Sequence, residues 1–372
     1  MSVADHELRT FASPPAGSRK PLVLGRWLGA LALVVGASDP AFAHVKWFAQ
    51  YDLTLPPMPI GEVLNAFFVC FFLFSVVAIY GFYWVDRYVY RKRILEDVLV
   101  RYTISEPVAF LIMRCAAAAF FAAVSVYGFT GDAFYLTPEL KTDQAWVPWL
   151  QAAMALCALH RWTMPLMAVG MAVLYAAAVR QYGIFHLLDY LILIGVTYYF
   201  LASPIERPAW RKSRYIVLYA ATGLTLLWAS IEKWGYPSWT FPLLENDPSL
   251  LMGLDARTYM VLAGFVEFNL TFVLLSSSSL LSRAIALGLM SVFVLAVAKF
   301  GMIDAIGHLL IIAILVVLVL HGPTEGRNFL VLESKSLWTE AYFMTGLYVL
   351  AFVLVFTAFY GFHYLAYQRW LC

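Results

Sequence analysis

Apolar stretches long enough to cross a hydrocarbon core about 30 Å thick recur along this chain, separated by short polar breaks. Spanning helices are expected near 62–85, 107–129, 146–160, 164–181, 184–203, 215–233, 259–277, 284–300, 303–321 and 341–364, ten in all. The third, fourth, eighth and ninth are close to the minimum length and are joined by tight hairpins. Composition points the same way: of 372 residues 62% are hydrophobic and 13% charged, against roughly 25% charged in soluble domains. An ordinary globular enzyme is excluded. The fold class is all-α, a polytopic membrane helical bundle of about ten transmembrane helices, and its first partner is the lipid bilayer.

Charge sets the orientation. The segment 86–102 carries Arg87, Arg91, Lys92, Arg93 and Arg101, and 206–214 carries Arg207, Arg211, Lys212 and Arg214. The positive-inside rule makes both loops cytoplasmic. The connections 130–145 and 234–258 are poor in cations and hold Asp132, Glu139, Asp143, Glu245 and Asp247, and the alternation of helices puts them outside. A formal net charge of +2 leaves no nucleic-acid footprint. Cys70, Cys115, Cys157 and Cys372 stand far apart with no CxxC, which argues against a dithiol centre.

The first 43 residues resemble an export signal: Arg19, Lys20 and Arg26, then apolar Trp27 to Ala37, then Ala41-Phe42-Ala43 as a cleavage pattern. Cleavage there makes His44 the mature N-terminus; an uncleaved first helix is the alternative, and either leaves His44 outside. The localisation expected is the bacterial inner membrane, with an extracytoplasmic mature N-terminus. The chain then divides into a signal or anchor (1–43), a first transmembrane helix with its basic loop (44–106), two four-helix units (107–205 and 213–323) and a C-terminal transmembrane helix (338–372). The units align weakly: 110–129 with 215–234 at an offset of 105, and 180–194 with 298–312 at an offset of 118. An even number of crossings per unit makes the two repeats parallel.

Ionisable groups at bilayer depth cost on the order of 2.5 to 3.5 kcal/mol each at a helix centre, so each needs a partner, water or a function. In the second unit Glu232, Lys233, Glu267, Lys299, Asp304 and His308 all fall in the outer third of the membrane. Asp304 and His308, four apart, share a helical face, where a carboxylate orients an imidazole and raises its proton affinity. Such a pair holds or relays a proton near neutral pH, or simply ties helices together. The first unit has fewer charges, with His186 and Asp189 at the equivalent helix start and Gln151 aligned with Glu267, so a single site is expected in the second. A metal reading draws on His308, Asp304, Glu267 and His44, without a dense ligand motif to support it. Arg114 snorkels or pairs with Glu106. Trp234, Tyr236, Trp239, Phe241, Trp146 and Trp149 read as an interfacial belt, or as surfaces for a flat lipid-soluble ring.

Three runs carry a family likeness: LLWASIEKWGYPSW (226–239), AGFVEFNLTFVLLSSSSLLSRAIALGL (263–289) and KFGMIDAIGHLL (299–310). Together they resemble the DoxX/DoxD-like membrane family, whose pattern matches Glu232, Lys233 and Pro237, then Glu267, Arg283, and Asp304 with His308. The chain departs from it at 279–282, where the glycine usual before the arginine is missing. The resemblance implies two parallel four-helix DoxX-like repeats and, in some members, the membrane subunit of a thiosulfate:quinone oxidoreductase. On that reading His308, Asp304 and Glu267 carry the chemistry. Glu232, Lys233, Trp234 and Trp239 shape a quinone pocket, and an extracytoplasmic redox or metal-handling partner supplies electrons. The competing readings are a non-enzymatic scaffold or assembly factor, and transport.

Overall fold

The structure, a computed structural model, describes residues 55–277, 279–322, 334 and 336–367. The expected export signal, His44 and Cys372 lie outside the described residues. Within them the chain is helical, with one isolated antiparallel bridge, Phe134–Lys141. Among the described residues ten longer helices build the bundle: α1 (Ala66–Arg91), α2 (Glu106–Thr130), α3 (Trp146–Ala158), α4 (Met164–Tyr182), α5 (Ile184–Leu201), α6 (Pro208–Gly235), α7 (Ala256–Ser276), α8 (Leu280–Phe300), α9 (Met302–His321) and α10 (Leu337–Tyr367). Among the described residues nine of these are long and apolar enough to cross a bilayer, and the chain is a multi-pass membrane protein.

The exception corrects the expectation of ten full spans. The 13 residues of α3 reach only about 20 Å at 1.5 Å per residue. The segment preceding α3 folds inward: residues 134–140 are buried, and Tyr135 N–H donates to the Leu140 carbonyl at 2.9 Å.

Helix ends follow local chemistry. The Asn65 side chain accepts from Phe68 N–H at 3.0 Å, Asp255 from Thr258 N–H at 3.0 Å and Ser279 from Leu281 N–H at 3.1 Å, opening α1, α7 and α8. Prolines stand in the first turns of α2, α4 and α6, where a missing N–H leaves no hydrogen bond unmade. The turns from α4 to α5 and from α8 to α9 are each made by one glycine of positive φ, Gly183 at 86° and Gly301 at 81°. A β-carbon is strained there.

From α2 to α9 each helix packs on the next, and α9 returns to pack on α2, which closes a ring of eight. The helices α1 and α10 pair with each other, α1 against α7 and α10 against α6. The seam is aromatic: Phe68 meets the Trp234 ring edge-on at 5.0 Å, Phe265 lies 4.7 Å from it, and Phe268 packs on Phe352 at 5.3 Å. Polar side chains stitch the same helices together. Asn269 donates to Ser75 Oγ at 2.9 Å while accepting from Tyr348 O–H at 2.7 Å, and Ser277 and Ser279 both donate to the buried carboxylate of Asp86. In lipid such bonds bind helices that apolar contact alone holds no better than acyl chains do.

The basic loops gather at one end. Ile104 N–H reaches the Leu320 carbonyl at 3.1 Å, and Arg91 pairs with Glu340 at 2.8 Å. At the other end Met58 N–H donates to the Gly235 carbonyl at 2.7 Å, and Tyr360 O–H to the Met58 carbonyl at 3.0 Å.

Candidate functional site

The polar groups expected to cluster resolve into pairs at the end away from the basic loops. On the first turns of α9, His308 Nδ1 lies 3.0 Å from Asp304 Oδ2 and 3.1 Å from the Asp304 carbonyl oxygen, with both side chains buried. Both neighbours of Nδ1 are oxygen acceptors, an arrangement that suits a ring with its proton on Nδ1. Phe293 of α8 packs on the imidazole at 4.9 Å. Among the described residues neither carboxylate oxygen of Asp304 makes a hydrogen bond, so the side-chain contact with His308 is an electrostatic one, while the ring bonds the Asp304 carbonyl.

Glu267 of α7 has a different companion, Lys233 of α6, at 2.5 Å, and both are about a fifth exposed. Glu232, the neighbour of Lys233, accepts from Tyr236 N–H through its carbonyl as α6 ends. Lys299, at the end of α8, pairs with Asp247 of the long connection. The Lys299 ammonium, aided by Ser249, holds the Asp247 carboxyl below its ordinary value of 3.8. Among the described residues no three His, Cys, Asp or Glu side chains converge as a metal site requires.

Two expectations are corrected by packing. Trp234 and Trp239 do not form an open belt: both are buried, Trp234 donating to the Val261 carbonyl at 3.1 Å and Trp239 stacked on Tyr236 at 3.9 Å. The cause is α1 and α10: Phe68 and Phe352 pack on Trp234, and Phe359 packs on Tyr236, on which Trp239 is stacked. Trp146 and Trp149 remain exposed. Glu106, expected beside Arg114, is held instead by Arg214 at 2.8 Å.

The first half contains a buried polar site that sequence reasoning passed over. Glu139, in the inward fold before α3, receives His186 Nε2 at 2.9 Å, and the Tyr190 hydroxyl donates to its other oxygen. Tyr182 stacks on the imidazole at 5.4 Å. Gln151 donates to the carbonyls of Phe134 and Tyr135 at 2.7 and 2.8 Å, which fixes the same fold. Between His186 and Tyr190 the helix tightens to a 3₁₀ turn, Leu188–Tyr190. Side chains stand in around the broken ladder: Thr225 accepts from Ile192 N–H at 2.8 Å, and Tyr175 donates to the Leu187 carbonyl at 2.7 Å. A 3₁₀ stretch inside a helix often marks a functional position. The available signal was an acid in an outer connection facing a histidine at a helix start.

The arrangement therefore offers two buried carboxylate–imidazole contacts, in each of which a member stands three residues after a glycine of positive φ, Gly183 or Gly301. Each can hold a proton away from water. No family model, curated protein or solved structure matches this chain. The DoxX/DoxD-like resemblance accordingly rests on its residues alone.

Proposed function

We propose that 107–205 and 213–323 are two parallel repeats of a DoxX/DoxD-like membrane protein, and that the second holds a protonatable site serving a quinone-linked oxidoreductase. The repeat reading is supported by the same order of helix neighbours in both halves and by the equivalent glycines Gly183 and Gly301. The observation that carries the functional reading is the buried contact between Asp304 and His308. A quinone head group, when bound, supplies reversible two-electron, two-proton chemistry. The residues suit it in kind, since the ring once protonated at Nε2 can donate to a carbonyl and the Asp304 carboxylate has acceptor capacity to spare. Asp304 sets the tautomer and stabilises the charged ring; His308 takes up or releases a proton at Nε2. The Lys233–Glu267 pair lies on the neighbouring helices α6 and α7 and contributes to the field. Electrons come from an extracytoplasmic partner protein.

Protein purified with its native lipids is expected to carry extractable quinone. His308→Ala should lose most of it, and Asp304→Asn should lower retention while leaving the fold intact. Retention unchanged by either substitution overturns the assignment.

A second reading, a non-enzymatic scaffold, is favoured by the stitching of α1, α7 and α10 through Ser75, Asn269 and Tyr348. On that reading the protein carries no quinone, and Asp304→Asn changes thermal stability alone.

A further inference from the structure

A cavity of about 300 Å³ opens at the basic end, between the start of α2, the turn joining α3 to α4, and the turn joining α5 to α6. That is the lower end of the size range of small-ligand sites, roughly 300 to 1,000 Å³. Its polar lining comprises Arg161, Arg211 and Arg214 against Glu106 and Glu206, with Ser203 beside them. The carboxylate of Glu106 is engaged by Arg214 at 2.8 Å and approached by Arg211 at 3.7 Å. Arg161 has no acid partner among the described residues; its guanidinium lies over the Trp162 ring at 4.6 Å. The cavity thus holds more cation than its own acids neutralise.

Arg214 is the buried floor, 7% exposed, and its guanidinium sits 5.9 and 5.7 Å from the rings of Phe110 and Tyr199. Its Nε and the Ser203 hydroxyl are buried without a hydrogen-bond partner. Donors left unsatisfied in a cationic cavity call for an anionic acceptor. The first turns of α2, α4 and α6 lie at this end, and their dipoles favour negative charge. Leu159, Trp162 and Leu166 are each more than 60% exposed beside the mouth, so apolar chains have a surface to lie on where the charged group would enter.

We propose that this cavity binds a phosphate group, delivered as the headgroup of an anionic phospholipid, with Arg161 and Arg211 gripping the oxygens over the Arg214 floor. Planar guanidinium forks match phosphate geometry, and the exposed aromatic and leucines flank an acyl chain. The assignment is independent of any quinone chemistry at the opposite end.

The test is native mass spectrometry of the full chain in detergent, titrated with short-chain phosphatidylglycerol, with phosphatidylcholine, and with phosphatidylglycerol in the presence of sodium phosphate. Phosphatidylglycerol is expected to bind roughly tenfold tighter than phosphatidylcholine, with that preference lost in the double variant Arg161→Gln/Arg211→Gln. These two side chains lie at the mouth, so the fold should survive; an unchanged melting temperature verifies it. Arg161→Lys keeps the charge without the fork and should retain part of the preference. Equal binding of the two lipids, or a preference that survives the double variant, overturns the proposal. Phosphate binding to the wild type that the double variant loses, together with equal binding of the two lipids, would keep the phosphate site and overturn the lipid source.

Discussion

Gly264 and Trp234 illustrate how single residues set the aromatic seam. A β-carbon at 264 would run into the indole ring, which cannot swing aside because Phe68, Phe265 and Phe268 hold it and its N–H is bonded to Val261. Gly264→Ala should therefore destabilise the protein by roughly 1 to 3 kcal/mol, the usual cost of overpacking. Gly288, on the exposed face of α8 with no neighbour within 4 Å of an added β-carbon, makes the control: Gly288→Ala should be neutral or stabilising by under about 1 kcal/mol. Thermal unfolding in detergent distinguishes the two, and equal melting temperatures would refute the packing argument. At this scale the Asp304–His308 contact was legible in the sequence, because four residues is one helical turn. The Glu139–His186 contact was not, because its two members come from different segments.

Among the elements, the segment 131–145 departs most from a simple membrane hairpin. Its inward fold is fastened by Glu139 to His186 and Tyr190 and by Gln151 to two carbonyls. Gln181 and Tyr182 also donate to the Lys141 carbonyl, at 3.1 and 2.6 Å. Glu139→Ala strips two buried donors of their acceptor, which costs about 1 to 3 kcal/mol. The released segment should be cut by trypsin at the exposed Lys141 several times faster than in the wild type, whereas Glu139→Gln, which keeps one acceptor, should fall between. Identical cleavage rates for all three would mean that the buried acid does not anchor the segment. Helix starts at Asn65, Asp255 and Ser279 and the proline-led starts of α2, α4 and α6 are local chemistry, readable from a few residues. The shortness of α3 is not local. An apolar stretch expected over 146–160 forms a helix only to Ala158, beside a preceding segment whose residues 134–140 are buried.

For the whole molecule, the distribution of cations predicts 86–102 and 206–214 on one side of the bilayer and 131–145 on the other. In intact cells Asp132→Cys should react with an impermeant maleimide from outside, while Arg93→Cys should react only after permeabilisation. Labelling of both from the same side would break the alternation of helices on which the bundle rests. Nine of the expected spans and the gathering of the basic loops at one end follow from the sequence, since hydropathy and charge act along the chain and need no partner segment. Tertiary structure decided the rest: Trp234 and Trp239 are covered because α1 and α10 close over them, Glu106 belongs to Arg214, and Glu139 meets His186. Lipid forces each segment to satisfy its own backbone and therefore writes the helices locally. Which buried side chains find each other depends on how those helices pack, and no single segment encodes that.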